Sequence, residues 1–231
     1  MIGPKVRNFI LANEELIDAN QWSKIYSEAY FDLESYEVGE FTYAILEAGL
    51  HPLDYLSDIP QMYLCSTDTT ECEIPSHINN IGIYAYCNTD IKEVFIPSHI
   101  KRIRNRAFAD CDQLTTVNIQ TGLEKLSGAC FSGCDNLKSI NFPPSLSLIG
   151  EFCFFACKNL PSEIYLTEGL EEIRNNAFVT TSIEPKTFYL PTSLKIIHKN
   201  AFDPESKLIV HQGSYAHEWV QTTSYEYEVI S

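Results

Sequence analysis

The sequence predicts an α+β fold: a repeat solenoid of about six turns carrying a parallel β-sheet, preceded by a small helical module. Three observations carry that prediction. The stretch Ile96–Ile119 returns, altered but in register, about every 23 residues, and a unit recurring at that period is a solenoid turn, not a domain of its own. Each return keeps the chemical character of the same few positions. The first 72 residues stand outside the repeat and show helical spacing.

In the N-terminal segment, Asn13 can cap a helix whose first turn holds Glu14 and Glu15, where carboxylates suit the helix dipole. A second helix is predicted from Glu40 to Ala48, with Phe41, Ala44, Ile45 and Ala48 on one face and Gly49 as its stop. Pro52 can open a third, short helix that Pro60 ends. Residues 1–72 therefore read as a helical module. Its predicted task is to cap the raw apolar end that a first solenoid turn exposes.

The repeat occupies residues 73–210. An anchor reads Pro75, Pro97, Gln120, Pro143, Thr167 and Pro191. Three residues on stands an aliphatic (Ile78, Ile100, Leu123, Leu146, Leu170, Leu194), and three further another (Ile81, Ile103, Leu126, Ile149, Ile173, Ile197). Ten after the anchor comes a small residue, followed each time by a ring: Tyr86, Phe108, Phe131, Phe154, Phe178, Phe202. Before each anchor, stretches such as Leu114-x-x-Val117-x-Ile119 alternate apolar and polar residues, which is strand behaviour. Stacked at about 4.8 Å per strand, six turns would build one sheet about 29 Å wide, with the ring column behind it. Residues 211–231 close the chain. Ser214 can cap a short helix there, and a last strand is predicted at Tyr225–Ile230.

The pattern I-P-x-x-[IL]-x-x-I-x-x-x-A-F-x-x-C-x-x-L-x-x-[IV], met almost letter for letter by Ile96–Val117, resembles the BspA-type leucine-rich repeat. The resemblance implies a leucine-rich-repeat solenoid, and it extends to the closing helix and strand. Ala44–Leu64 also resembles the leader before such repeats in bacteriophage and prophage proteins. That implies an intracellular, phage-encoded protein, whereas secreted members of the family act in adhesion.

Charge narrows the choice of partner. Residues 1–72 hold 13 Asp/Glu against 3 Lys/Arg, a net of −10, and residues 73–231 hold 18 against 13, a net of −5. Nucleic-acid binding needs a surplus of cations, so it is disfavoured. A basic protein partner is permitted. No segment reaches the roughly 18 apolar residues needed to span a bilayer. The opening residues lack a secretory signal, so the sequence predicts a chain in the bacterial cytoplasm with its eight cysteines reduced.

Reaction chemistry is hard to find. Cys130-x-x-x-Cys134 and Cys153-x-x-x-Cys157 could suggest thiolates around zinc. However, Cys130 and Cys153 fill the small-residue column, and Cys111, Cys134 and Cys157 fill another column 23 apart. Buried packing is the expectation, since a free thiol behaves as a small hydrophobe. The histidines form no ligand spacing, and neither a phosphate-cradling loop nor a nucleophile elbow occurs. No enzyme activity and no cofactor are predicted. The dense basic run Lys101, Arg102, Arg104, Arg106 reads as solvated surface.

The predicted partner-binding residues lie on the concave face. Two before each anchor, a strand residue points outward: Glu73, Phe95, Asn118, Asn141, Tyr165, Tyr189. An adjacent outward row reads Glu93, Thr116, Ser139, Glu163, Thr187. Exposed rings on a stiff sheet are what interface hot spots are made of. The leading expectation is a non-enzymatic interaction scaffold acting on a host protein. The alternatives are an acidic module that imitates nucleic acid to inhibit a host nucleic-acid-binding or defence protein, and a virion or surface adhesion component.

Overall fold

The computed structural model describes residues 72, 74, 76, 79–82 and 85–231. The helical module predicted over residues 1–72 lies, apart from Cys72, outside the described residues, as do Glu73 and the thiol of Cys65.

Each turn of the solenoid contributes two strand segments. The first set is made of two-residue strands: β1 (Asn80–Ile81), β3 (Arg102–Ile103), β5 (Lys125–Leu126), β7 (Leu148–Ile149), β9 (Glu172–Ile173) and β11 (Ile196–Ile197). They pair in parallel as one six-stranded sheet, with the second aliphatic of every repeat in register and buried. The spacing of that aliphatic pair suggested no strand, because two residues are too few to show alternation.

The second set forms the longer strands: β2 (Glu93–Ile96), β4 (Thr116–Ile119), β6 (Ser139–Ile140), β8 (Glu163–Tyr165), β10 (Thr187–Tyr189), β12 (Lys207–His211) and β13 (Glu226–Ile230). These were expected to make one sheet. They make two, of order β2-β4-β6 and β13-β12-β10-β8, with no pairing from β6 to β8. Between the two sheets the repeat is irregular: one residue more than in the preceding turns, with Pro161, precedes β8. Pro143 also ends the β4–β6 ladder early, since it carries no N–H where Gln120 in the same column donates to Ile96 O at 2.9 Å. In place of a longer ladder, the Asn141 side chain clamps the neighbouring strand, its Oδ1 accepting from Ile119 N at 2.8 Å and its Nδ2 donating to Ile119 O at 2.7 Å.

The anchor position is the start of a tight turn. Ile100 N donates to Pro97 O at 3.1 Å, Leu146 N to Pro143 O at 2.9 Å and Leu170 N to Thr167 O at 3.3 Å. Hence an aliphatic always stands three after the anchor. In two of these turns a glycine is required: a Cβ on Gly122 (φ 142°) would lie 2.0 Å from Ser98 O, and one on Gly169 (φ 108°) 2.1 Å from Pro144 O.

Behind the sheets the rings stack once per turn, through Tyr86, Phe108, Phe131, Phe154, Phe178 and Phe202. Centroid separations are 5.0 to 5.7 Å and adjacent planes lie within 13° of parallel. All six rings are buried, and burial of one such ring stabilises by about 1.5–3 kcal/mol. Two residues before the ring, the chain turns through the left-handed region at Arg106, Ala129, Phe152 and Asn176 (φ 54–56°). None of these is glycine, so the regular packing of the turn carries a backbone cost at each.

At the C-terminal end, α1 (Tyr215–Val220) starts at Ser214, whose hydroxyl accepts from His217 N. Its Ala216 and Val220 are buried, and β13 then pairs with β12.

Candidate functional site

The outward rows of the two longer sheets sit as the repeat register predicts. Glu93 lies beside Thr116 and Phe95 beside Asn118 in β2–β4, while Glu163 lies beside Thr187 and Tyr165 beside Tyr189 in β8–β10. The rows differ in what they do with their side chains. Phe95 is 53% exposed, Glu93 and Asn118 are exposed, and Asn118 makes no side-chain hydrogen bond among the described residues. Asn141 occupies the same column but commits its amide to the Ile119 backbone.

Tyr165 and Tyr189 come together. Their rings stack at 4.1 Å between centroids with planes 11° apart, while Tyr165 stays 58% exposed. Parallel register on strands about 4.8 Å apart places two like side chains at stacking distance. Both hydroxyls converge on one carboxylate: Tyr165 Oη donates to Glu163 Oε2 at 2.9 Å and Tyr189 Oη to Glu163 Oε1 at 3.4 Å. Hydrogen bonding with Tyr189, then with Glu163, pushes the Tyr165 phenol above its ordinary range. The arrangement is a fixed apolar plate with a carboxylate at its rim. Such a plate can stack on a ring or a guanidinium and accept from a donor.

On the next two strands of the same sheet, β12 and β13, Lys207 Nζ pairs with Glu228 Oε2 at 2.8 Å, and Ile209, in register with Tyr189, is 5% exposed. The aromatic patch therefore ends in a short charged border. Phe95 is not part of it, because it stands on the other longer sheet. Glu163 is the side chain that joins the two tyrosines and that the row of rings alone does not reveal. Its signal is the i, i+2 spacing to Tyr165, which puts both on one face of a strand.

The cysteines serve the fold. Cys72, Cys111, Cys130, Cys134, Cys153 and Cys157 are free thiols. Cys111, Cys134 and Cys157 donate to the carbonyls of Tyr86, Phe108 and Phe131 at 2.9, 3.0 and 3.0 Å, so each thiol ties its turn to the ring residue of the turn before. Burial pushes the Cys72 and Cys87 thiols up to about 12, which leaves them poor nucleophiles at neutral pH. Among the described residues no group of three or more His, Cys, Asp or Glu is placed to hold a metal ion, and no helix is long and apolar enough to cross a membrane.

A depression of about 400 Å³ opens where turn five is irregular, between Lys158, Ser162, Ile183 and Lys186. Lys186 is buried and donates to Leu160 O at 2.6 Å, and desolvation lowers its ammonium pKa. That cation is used to close the irregular turn.

Residues 79–209 match the BspA type leucine rich repeat region in six copies. Among curated proteins none matches the chain. Similar solved structures include a leucine-rich repeat protein from Bacteroides ovatus (20% identity, 69% of this chain and 47% of that one, TM-score 0.45). Two more are the T. pallidum leucine-rich repeat protein (20% identity, 72% and 88%, TM-score 0.49) and a leucine rich cell surface protein from Faecalibacterium prausnitzii (20% identity, 62% and 44%, TM-score 0.38). The chain spans about half the length of the Bacteroides protein it matches.

Proposed function

The chain belongs to the BspA-type leucine-rich repeat family, and from that premise we propose that it is a non-enzymatic scaffold whose protein partner docks on the outward face of β8 and β10. Leucine-rich repeat proteins are generally protein-interaction scaffolds. The observation that carries the assignment to this face is the exposed, stacked Tyr165–Tyr189 pair with Glu163 at its rim. Rigid tyrosines lose little side-chain freedom on binding and dominate interface energetics. With Glu163, Glu226 and Glu228 on the same sheet and a net charge of −15, the fitting partner is basic. The phage-like resemblance of Ala44–Leu64 supports a bacterial host protein as that partner, met in the host cytoplasm.

The test is capture of a partner from bacterial lysate by the full chain, then repetition with Tyr165→Ala and Tyr189→Ala. Loss of one defined partner with both variants, each still folded, supports the reading. Unchanged capture by both removes it. A second reading rests on the net of −10 over residues 1–72: that segment occupies the basic groove of a nucleic-acid-binding or defence protein. It requires affinity for such a target to fall steeply with salt. Salt-independent affinity contradicts it.

A further inference from the structure

On the six-stranded sheet, the outward residues of successive turns run Asn80, Arg102, Lys125, Leu148, Glu172, Ile196. Where β3, β5, β7 and β9 lie side by side they border a groove of about 340 Å³. Arg102, Lys125 and Ser127 line one end of it, Asn105 and Glu151 its lip, and Arg174 the far end.

Four lysines elsewhere are matched by carboxylates: Lys101 with Glu124, Lys158 with Asp135, Lys195 with Glu171 and Lys207 with Glu228. Among the described residues, Arg102 and Lys125 have neither an ion pair nor a side-chain hydrogen bond, in a chain with 31 Asp/Glu. They face each other directly across β3–β5, where like charges destabilise. Both are only half exposed, so water screens them incompletely. Two residues on from Arg102, outside the groove lining, Arg104 Nε is buried with no acceptor among the described residues.

Between the two ends Leu148 supplies an apolar side chain beside Lys125, while Gly128 and Gly150 contribute none. A Cβ on Gly150 would lie 2.6 Å from the Ser127 carbonyl carbon, so turn stacking keeps that position empty. The far end is already neutral, since Arg174 Nε pairs with Glu172 at 2.8 Å. Glu151 at the lip opposes a second anionic group. The lining holds no aromatic side chain, so nothing there would stack on a base.

We propose that this groove binds a small oxyanion, a phosphate or carboxylate group, between Arg102, Lys125 and the Ser127 hydroxyl. The guanidinium supplies paired planar donors, the ammonium a point charge and the hydroxyl a neutral donor. Asn105 and Glu151 are placed to meet hydroxyl groups on the rest of the molecule. The site is on a different sheet from the tyrosine pair and stands independently of it.

The full chain is titrated with inorganic phosphate and, separately, with acetate, each against sodium chloride at matched ionic strength. Thermal unfolding and calorimetry are the readouts. Saturable stabilisation by phosphate alone identifies a phosphate ligand, and by acetate alone a carboxylate ligand. Stabilisation by both supports the shared oxyanion chemistry. Arg102→Gln with Lys125→Gln should weaken the binding about tenfold or more, while Lys125→Arg and the distant Lys195→Gln should keep it. The proposal is overturned if neither anion outperforms chloride. It is overturned equally if the double variant, folded by circular dichroism, binds as the parent does.

Discussion

The two longer sheets are copies of one repeat, yet their outward faces have diverged. On β2-β4-β6 the rows carry Glu93, Phe95, Thr116, Asn118 and Ser139, side chains that lie in register and share no hydrogen bond or ion pair among the described residues. On β8-β10-β12-β13 Glu163, Tyr165 and Tyr189 meet as a stack with shared hydrogen bonds, and Lys207 forms an ion pair with Glu228. Behind both faces the interior is the same: one ring per turn, parallel to its neighbours, through the point where the outer ladder breaks. Construction is thus held constant by packing, while the outward row is where the turns can differ without loss of fold.

If the interior is truly shared, damage at the break should be felt in both halves. Phe154 stacks on Phe131 and Phe178 and takes the edge of Phe142 at 5.8 Å. Phe154→Ala should cost about 3–5 kcal/mol, read as a lower denaturant midpoint, and the two halves should still unfold together. Separate melting of β2-β4-β6 and β8-β10-β12 would show that the outer break also divides the cooperativity of the solenoid.

The two asparagines of the first sheet sharpen the contrast between construction and surface. Asn141→Ala leaves the N–H and C=O of Ile119 without their clamp, and should cost about 1–3 kcal/mol. Asn118→Ala, in the same sequence column, should fall within about 0.5 kcal/mol of the parent. Equal losses would mean that the outward row contributes to stability uniformly.

That pair also shows how far the sequence could be read. The period, the ring column, the buried thiol columns and the register of Phe95 with Asn118 and Tyr165 with Tyr189 all follow from spacing. Spacing cannot say that Asn141 has left the outward row, because that depends on a proline ending a ladder and on an amide finding the neighbouring backbone. It reveals neither the stacking of two tyrosines on one glutamate nor the two-residue strands. It reads Arg102 as one of a solvated run, because Lys125 comes near it only once the turns are stacked.

Binding should separate the faces where stability does not. Tyr189→Ala removes half of the stack and one donor to Glu163, and should weaken partner binding about tenfold or more. Phe95→Ala should change it far less if the second sheet is the site. The reverse order would move the site to β2-β4. The raised Tyr165 phenol keeps its proton beyond the ordinary value of 10.0, so its hydrogen bond to Glu163 is present below that pH and is lost as pH rises through the elevated value.

The smallest expected effect is an acid sensitivity confined to one half. In turns five and six, Glu168 accepts from Thr192 N at 2.8 Å, Thr192 Oγ1 at 3.0 Å and Ser193 N at 3.1 Å. Partial burial raises its pKa, but the bonds from Thr192 and Ser193 outweigh that and hold the carboxyl below its usual value of 4.5. A carboxyl lowered in the folded state contributes stability that is complete above the unfolded value and is lost as pH falls through the folded one. An inter-turn contact of the first half is neutral and runs the other way: Ser98 N donates to Gln120 Oε1 of the following turn at 3.3 Å. Between pH 6 and 3, therefore, Glu168→Gln should lose less stability than the parent, although both lose some through the other carboxylates. Hydrogen exchange locates the difference. In the parent, acid should release the Thr192 amide before that of Ser98, and in the variant the two should respond alike. An acid response at Ser98 as large as that at Thr192 in the parent would place the sensitivity in the shared construction and not in the second half.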